Sequence, residues 1–381
     1  MTQRPGAKEI ETSGPPEHEA GGVLSIDLAA LVANWRELAA RAPGAECGAV
    51  VKADGYGCGI APVTAALAKA GCGNFFVADL AEARSVRKAA PTASIYVLNG
   101  LAPATGDAFA AADLRPVIGS LAELGEWQNF RAATGWHGGA ALHVDTGMNR
   151  LGLLLEEAAE FAAREDSKSG IVLLMSHFAC AEEPSHPLNA KQMAEFRELR
   201  GLFPEIPGSL ANSSGIFLGP DAHHDLVRPG VALYGGNPTP AHLNLMRPVV
   251  GLKGRIAQLR EIATGETVGY GAQWTAQRPT RLAVVALGYA DGFPRAASAS
   301  DTKPGAEAII AGRRCPFAGR VSMDLLAVDV TDLPEGVPRR GDLVALLDEE
   351  IGVDELASRA GTIAYEILTR LGRRYRRVYV G

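Results

Sequence analysis

Lys52 is the residue whose position points most directly to chemistry. It follows the apolar residues of the run E-C-G-A-V-V-K-A (46–53), which is typical of a buried strand. Burial lowers the pKa of an amine, and the neutral amine is the form that makes a Schiff base with a carbonyl group. On the strand alone a second interpretation stays open, in which the Lys52 side chain simply reaches solvent from the rim of the sheet.

Two further segments combine small polar residues with glycine. The run N-S-S-G spans 212–215, and the run R-P-G-V spans 228–231. Gly215 and Gly230 would let a ligand approach the backbone closely, and both loops offer N–H groups or hydroxyls to a phosphate. Each loop alone is equally consistent with an ordinary tight turn. Together with a lysine at a strand end, they predict pyridoxal 5′-phosphate (PLP) as the cofactor, without a metal.

Other polar residues also come directly after apolar runs. These candidates are Tyr56, Arg150, Ser176, His177, Asn212, Ser213 and Arg228. Considered singly, they have ordinary explanations as well. His177 after an apolar run is typical of a hydrogen-bonded core histidine, and Arg228 beside Pro229 could be a surface cation.

The segments that must position these residues alternate between two patterns. Short apolar runs predict eight buried parallel strands, and runs with apolar residues at i, i+3 and i+4 predict helices. The predicted strands cover 46–53, 74–78, 94–98, 114–118, 141–145, 171–177, 209–213 and 226–234, the last ending near Arg228 because of Pro229. The main predicted helices cover 26–41, 79–90, 120–133, 154–165 and 189–203. This alternation predicts an α/β fold, a (β/α)8 TIM-type barrel, whose functional residues lie at the C-terminal ends of the strands.

The pattern changes near residue 250. Glycine and proline then punctuate short apolar runs every 8–15 residues, which predicts a mostly-β C-terminal domain over 250–381. A last helix is predicted over 354–372, before the basic end R-R-Y-R-R-V-Y-V, which we interpret as a solvated or interface face. We expect the barrel to span 23–249 and residues 1–22, which are polar and rich in proline and glycine, to be a disordered tail.

Composition and charge exclude several classes of protein. The 381 residues include 37 Lys and Arg against 43 Asp and Glu, a net charge of −6, which weighs against a nucleic-acid partner. The five cysteines show no C-x-x-C spacing, so a disulfide framework or a structural zinc site is not expected. No export signal and no apolar run of about 18 residues is present, so we expect a cytoplasmic protein with no membrane segment.

The motifs taken together resemble the alanine racemase family of PLP-dependent enzymes. They occur in family order across nearly all of the chain beyond residue 22. The matching segments are AVVKADGYGCG (49–59), HVDTGMNRLG (143–152), MSHFACAEE (175–183), NSSG (212–215), LVRPGVALYG (226–235), VGYGAQW (268–274), GYADGFPR (288–295) and GRVSMDLLAVDV (319–330). The resemblance implies that L-alanine and D-alanine are interconverted on PLP.

The resemblance also implies a role for each matching residue. Lys52 would bind PLP and act as one base, and Tyr270 would be the base on the opposite face, reaching the site from a partner subunit. Arg228 would donate to the pyridine nitrogen, and His177 would bridge Arg228 and Tyr270. The implied phosphate-binding residues are Tyr56, Ser213, Gly230, Val231 and Tyr365. Asn212 would also bind the cofactor, and Arg150 would contact its phenolic oxygen. Arg150 and Met323 would bind the substrate carboxylate, and Tyr289 and Arg295 would line the substrate entrance.

Because Tyr270 and Met323 would act across an interface, the resemblance implies a head-to-tail homodimer with shared active sites. Several functions remain open at this point. They are a racemase of the same fold for serine or a larger amino acid, a decarboxylase of the same barrel class, and a non-catalytic PLP carrier. The presence of 250–381 with Tyr270 and Met323 argues for the racemase.

The chain departs from the family pattern at His143. Many members have a carbamylated lysine there, which orients the arginine that corresponds to Arg150. A histidine cannot carry a stable carbamate in the same way, so Arg150 must be held differently. The alternatives are a neutral His143, an anion such as chloride and a nearby carboxylate. Cys58 also stands where the family often has histidine, and Asp54 where asparagine is common.

Overall fold

The computed structural model describes residues 9–164 and 169–381. Within these ranges the chain divides into two compact units. The barrel unit contains 32–233 and 237–246. The β unit contains the described residues up to Leu31 together with 234–236 and 247–381. A parallel-stranded barrel followed by a mostly-β unit confirms the predicted fold class.

The strands of the two units are short except for β12. In chain order they are β1 (Glu9–Ser13), β2 (Gly22–Asp27), β3 (Glu46–Cys47), β4 (Ala49–Val50), β5 (Asn74–Val77), β6 (Ser94–Val97), β7 (Arg115–Ile118), β8 (Ala140–His143), β9 (Ile171–Met175), β10 (Gly208–Ser209), β11 (Leu226–Val227), β12 (Val250–Ile262), β13 (Thr280–Val285), β14 (Glu307–Ile310), β15 (Arg313–Pro316), β16 (Leu326–Asp329), β17 (Leu343–Leu347) and β18 (Arg376–Val380).

Helices separate the barrel strands and follow β17. They are α1 (Leu28–Arg41), the single turn α2 (Lys52–Tyr56), α3 (Ile60–Ala70), α4 (Leu80–Ala89), α5 (Gly106–Ala111), α6 (Leu121–Thr134), α7 (Leu155–Ala162), α8 (Pro187–Leu202), α9 (Val353–Ala360) and α10 (Ala364–Thr369). The predicted final helix 354–372 is in fact α9 and α10. The two helices separate because Gly361 adopts a left-handed φ of +67° at the end of α9.

The barrel strands form a closed parallel ring. The main sheet runs in the order β4-β5-β6-β7-β8-β9-β10, and β11 pairs with β3, which directly precedes β4. Backbone hydrogen bonds join the last two strands, since Asp225 N donates to the Gly208 carbonyl at 3.0 Å and Arg228 N to that of Ala211 at 2.9 Å. The ring therefore contains the eight predicted strands, with β3 and β4 forming the first. Strands such as β5, β6 and β7 end in three buried residues each, as expected where both faces of a parallel sheet are covered.

The β unit is built on a sheet in the order β1-β18-β2-β12-β17-β14-β15, and β12 also pairs with β13, which pairs with β16. The 13-residue strand β12 pairs with β2 and β17 along its first part and with β13 along its second part. A bulge between Ile256 and Gln258 shifts its register against β13.

The N-terminal segment differs from its prediction. Residues 9–13 of the predicted disordered tail form β1, which pairs with β18, while residues 1–8 lie outside the described ranges. Residues 23–27, predicted either to open the barrel domain or to pack with the second domain, belong with Gly22 to β2, which lies between β18 and β12. Hydrogen bonds to the main chain of a strand some 365 positions away stabilise β1. The composition of residues 1–22 does not indicate that such a partner strand exists. The basic end is likewise part of this sheet as β18, with Arg377 buried and donating to the Leu371 and Gly372 carbonyls.

Across the described ranges every helix falls short of the length and apolar character needed to cross a bilayer. The same residues contain no group of three or more His, Cys, Asp or Glu side chains arranged to hold a metal ion.

Candidate active site

Lys52 begins a left-handed turn directly after the first barrel strand. Ala53, Asp54 and Tyr56 have φ values of 54°, 55° and 52°, and Gly55 has 63°. Residues with a side chain pay a steric cost in this region, so a run of three of them with one glycine must be held by other interactions. Backbone bonds close the turn, among them Gly57 N to the Ala53 carbonyl at 2.8 Å and Gly59 N to that of Asp54 at 2.7 Å. Strained backbone is thus concentrated beside the candidate lysine.

The environment of Lys52 favours the neutral amine, as the sequence predicts. Burial lowers the pKa of Lys52, and the nearby positive charge of Arg150 lowers it further. The carboxylate of Glu82 acts in the opposite direction.

Arg228 is buried at the end of β11, with 3% of its surface exposed. Its guanidinium donates to the Ser176 carbonyl at 2.6 Å, to the Ser209 hydroxyl, and to Nδ1 of His177 at 3.3 Å. These described partners are neutral, so they leave the cation without a balancing carboxylate. Burial lowers the pKa of Arg228 to about 9, and the side chain still carries its proton at neutral pH.

An aromatic stack supports Arg228 inside the barrel. Its guanidinium carbon lies 5.9 Å from the centre of the Phe76 ring. Phe76 stacks on Tyr96, with ring centres 4.8 Å apart. The Arg115 guanidinium lies over the Tyr96 ring and donates to the Tyr96 hydroxyl at 2.7 Å. Ring faces attract cations, so the stack stabilises guanidinium groups at both ends.

His177 is held as a neutral imidazole. Burial, followed by the positive charge of Arg228, lowers the pKa of His177 well below its ordinary value. Because Nδ1 accepts from Arg228, the proton of the neutral ring lies on Nε2. His177 therefore presents a donor on the side away from Arg228. The structure brings together His177 and Arg228 as the sequence analysis expected, whereas Tyr270 belongs to the other unit.

The loop that carries Arg150 is organised by Asp145. Its carboxylate accepts from the backbone N–H groups of Gly147 at 2.9 Å, Met148 at 2.8 Å and Asn149 at 2.8 Å. This Asx-type arrangement fixes the backbone up to Arg150 without a modified lysine.

His143 is uncharged in this neighbourhood. Burial, together with the positive charges of Arg228 and Arg150, lowers the pKa of His143 to about 4, against the opposing effect of Asp145. A neutral ring at this position adds no further positive charge to a site that already contains two arginines and a lysine.

A polar network behind the site was not found in the sequence. The hydroxyls of Thr146 and Ser176 are 2.8 Å apart, and Gln192 Nε2 donates to Thr146 Oγ1 at 3.2 Å and to the His177 carbonyl at 2.8 Å. Gln192 is fully buried on α8. A polar residue on the apolar face of a predicted helix is the sequence feature that could have indicated it.

The predicted phosphate loops come together at the end of the barrel. Ser213 Oγ accepts from Gly230 N at 2.8 Å and from Ala232 N at 3.3 Å, so the hydroxyl hydrogen can point to an anion. A Cβ at residue 230 would collide with the Tyr56 hydroxyl oxygen, which places that hydroxyl directly against Gly230. Asn212 instead accepts from Gly215 N at 2.8 Å and shapes the N-S-S-G turn. Val231 continues from Gly230 into a 3-10 turn, Val231–Tyr234.

The remaining candidates lie in the β unit and are exposed. Tyr270 and Met323 expose 73% and 54% of their surface, and Tyr289 and Tyr365 are exposed as well. Tyr289 N donates to the Ser322 carbonyl at 3.0 Å, which sets Tyr289 beside the loop of Met323.

Arg374 strengthens this arrangement of loops. It pairs with Asp324 at 2.8 Å and with Asp291 at 3.4 Å, and so joins the loop of Met323 to the turn Tyr289–Asp291. Arg295 begins the next 3-10 turn, Arg295–Ala297. Tyr365 lies on α10 in the β unit. Its contact with the cofactor phosphate stays a prediction.

Comparisons with known proteins match both units of the chain. The family model for the alanine racemase N-terminal domain matches residues 26–238, and that for the C-terminal domain matches residues 249–379. The chain is 54% identical to an alanine racemase of Methylobacterium nodulans, covering 94% of this chain and 96% of the relative. It is 48% identical to a catabolic alanine racemase of Mesorhizobium japonicum, covering 99% and 98%.

A solved structure agrees with these sequence matches. It is the alanine racemase of Bartonella henselae with covalently bound pyridoxal phosphate. It has a TM-score of 0.89 and 38% identity, and the match covers 94% of this chain and 99% of that one. The resemblance stated from the motifs is confirmed, and the chain belongs to the alanine racemase family.

Proposed function

We propose that this chain interconverts L-alanine and D-alanine with PLP as its cofactor, in the cytoplasm. The observation that carries the proposal is the buried, unbalanced cation of Arg228, which follows β11, the strand that pairs with β3 in the same barrel strand that leads to Lys52. Family membership over both units supports it, because the named relatives are alanine racemases.

The residues of the barrel unit fit PLP. Lys52 would hold the cofactor covalently, and the hydroxyls of Tyr56 and Ser213 with the loop at Gly230 would hold its phosphate. The positive charge of Arg228 and Arg150 suits a ligand that carries several negative charges. When bound, PLP supplies an electron-withdrawing ring that acidifies the Cα–H bond of the substrate amine.

Racemisation needs a proton removed from one face of Cα and another returned to the opposite face. Lys52 is one base, because burial makes its amine neutral at a lower pH than usual. Tyr270 is the second base. The Nε2–H that His177 directs away from Arg228 is suited to stabilise its phenolate by a hydrogen bond.

Arg228 also limits side reactions. Arg228 would donate to the ring nitrogen of PLP, and because a guanidinium keeps its proton at neutral pH it would leave that nitrogen unprotonated. PLP would then withdraw electrons less strongly than with a protonated ring, which would favour return of the proton to Cα over transfer of the amino group.

The substrate carboxylate is bound by Arg150, on the loop that Asp145 organises, and by the backbone N–H of Met323. Tyr289 lies beside the Met323 loop and lines the entrance. A hydrophobic pocket rejects one extra methylene by only about 1–3 kcal/mol, so the preference for alanine over serine is a matter of degree.

The exposed tyrosine and methionine are the reason to propose shared sites. A base with 73% of its surface in water, as Tyr270 has, cannot work in a water-excluded site until another surface covers it. A second copy of the chain would cover it in a head-to-tail homodimer.

Complementation between inactive variants tests the shared site. Lys52→Ala and Tyr270→Phe are purified separately, mixed in equal amounts and exchanged. If Lys52 and Tyr270 of different chains form one site, each mixed dimer regains one intact site, and about a quarter of wild-type activity returns. Activity that stays at the level of the separate variants would show that both bases come from one chain.

The reaction itself is tested in heavy water. The PLP-loaded protein is incubated with L-alanine and separately with D-alanine, and proton NMR and a chiral assay follow the α-proton and the enantiomers. We expect deuterium uptake and convergence on a racemic mixture from both sides. Exchange without inversion would contradict the role of Tyr270. No exchange with alanine would redirect the proposal to serine and larger amino acids, and no exchange with any would favour a PLP carrier.

A further inference from the structure

Two strand-to-helix junctions of the barrel unit repeat the same sequence pattern. The run A-D-L-A-E (78–82) follows β5, and the run G-S-L-A-E (119–123) follows β7. In both, the second residue caps the helix, with Asp79 accepting from Ala81 N and Glu82 N, and Ser120 accepting from Glu123 N. The glutamate therefore stands at the third helical position, as in a capping box.

The two glutamates make the same pair of contacts. Glu82 accepts from its own junction at Ala78 N, at 2.8 Å, and from the loop after β4 at Asp54 N, at 3.2 Å. Glu123 accepts from its own junction at Gly119 N, at 2.9 Å, and from the loop after β6 at Leu101 N, at 2.9 Å. Each carboxylate thus ties one βα loop to the loop of the preceding strand.

What differs is the loop that each glutamate holds. Leu101 lies in a loop with no site residue. Asp54 is the second residue after Lys52, inside the left-handed turn, and its N–H donates to Glu82. The Asp54 carboxylate also accepts from Ile60 N at 2.9 Å, so hydrogen bonds fix both the backbone N–H and the side chain of Asp54.

Glu82 also lies in the electrostatic environment of Lys52. The charged groups acting on the amine are Arg150, which lowers its pKa, and Glu82, which raises it. His177, which follows β9, is neutral. No corresponding amine is associated with Glu123 among the described residues.

We propose that Glu82 is a positioning residue that holds the strained Lys52–Tyr56 turn and keeps the Lys52 amine in reach of the cofactor. The inference rests on the proposed role of Lys52. Glu123 occupies the same position in its helix and also joins two βα loops, but those loops contain no candidate site residue. Glu123 therefore provides a matched control.

The test compares Glu82→Gln with Glu123→Gln. A glutamine keeps only one acceptor oxygen, so each variant loses one backbone hydrogen bond and some thermal stability. Because Glu123 also accepts from the Ser120 hydroxyl at 3.1 Å, Glu123→Gln should lose at least as much stability as Glu82→Gln. The second readout is uptake of PLP by the apoprotein as a function of pH, followed by the visible absorbance of the bound cofactor. Without the negative charge of Glu82 the pKa of Lys52 falls, and the midpoint of uptake moves to lower pH than in the wild type. Uptake also slows several-fold, while Glu123→Gln follows the wild type.

A shorter carboxylate separates charge from contact. Glu82→Asp keeps the charge, so its midpoint should return toward the wild type although uptake remains slow. If Glu82→Gln and Glu123→Gln take up PLP alike at every pH, the inference is wrong. It is also wrong if Glu82→Asp has the same midpoint as Glu82→Gln.

Lys52→Ala distinguishes the two levels of the argument. PLP that stays attached to Lys52→Ala after borohydride reduction and denaturation would overturn the proposed role of Lys52. If Lys52→Ala takes up no covalent PLP and Glu82→Gln behaves as the wild type, only the role of Glu82 is overturned.

Discussion

The candidate residues of the barrel unit and those of the β unit have opposite surroundings. Arg228 and His177 are fixed by hydrogen bonds to strands of their own unit. Tyr270 and Met323 stand exposed on short loops. The barrel unit therefore holds its candidate residues with its own backbone and side chains. The candidates of the β unit are exposed, and the proposed role of Tyr270 requires another surface to cover it.

Among variants of the barrel unit, Lys52→Ala should cause the largest loss of activity. Removal of the covalent attachment point and of one base should lower kcat/KM by roughly 10⁴-fold or more. Activity assays in both directions measure the loss. Lys52→Arg, which keeps the charge but cannot form a Schiff base, should be equally inactive. Activity within about tenfold of the wild type would contradict the assignment.

Tyr270→Phe tests the exposed half. We expect a loss of about 10³-fold in racemisation, while one enantiomer still exchanges its α-proton in heavy water through Lys52. Because the side chain is exposed, the free energy of unfolding should stay within about 0.5 kcal/mol of the wild type. A large loss of stability in the isolated variant would show that the tyrosine is part of a packed core instead.

Arg228→Glu should affect both stability and fidelity. Removing a buried guanidinium from the Ser176 carbonyl and His177 should cost about 3–5 kcal/mol, which urea unfolding would measure. The ratio of transaminated by-product to racemised product should rise by about tenfold. An unchanged product ratio in the folded variant would count against the fidelity role.

The smallest effect concerns His143. Its folded pKa of about 4 lies below the unfolded value of 6.5, so the unfolded chain binds a proton that the folded chain excludes. Between pH 6.5 and 4 this lowers the free energy of unfolding by up to about 3 kcal/mol, and nothing further is lost below pH 4. His143→Asn should show a smaller decline over this range. Parallel pH profiles of the two proteins would contradict the buried neutral imidazole.

Much of the barrel half could be predicted, because its residues follow apolar runs that end at one rim. Lys52, His177, Ser213 and Arg228 were found in this way. The pairing of His177 with Arg228 followed from the family resemblance. Glu82, Asp145 and Gln192 were missed, although each holds a site loop in place.

These residues were missed for one reason. A glutamate in the first turn of a helix, an aspartate in a loop after a strand, or a glutamine within a helix is common on any surface. Such a side chain is distinguished from an ordinary helix cap only by the backbone N–H groups with which it forms hydrogen bonds. Those N–H groups belong to other loops or to backbone conformations that single-residue patterns do not specify.

The sequence by itself determined the alternation of strands and helices, the order of the motifs and the family. These depend on local periodicity and on residue identity. Tertiary structure decided that β1 and β2 join the C-terminal sheet, that Lys52 opens a left-handed turn, and that Arg228 has neutral partners. Each of these depends on hydrogen bonds or packing between segments far apart along the chain, whose free energy exists only once the segments have met.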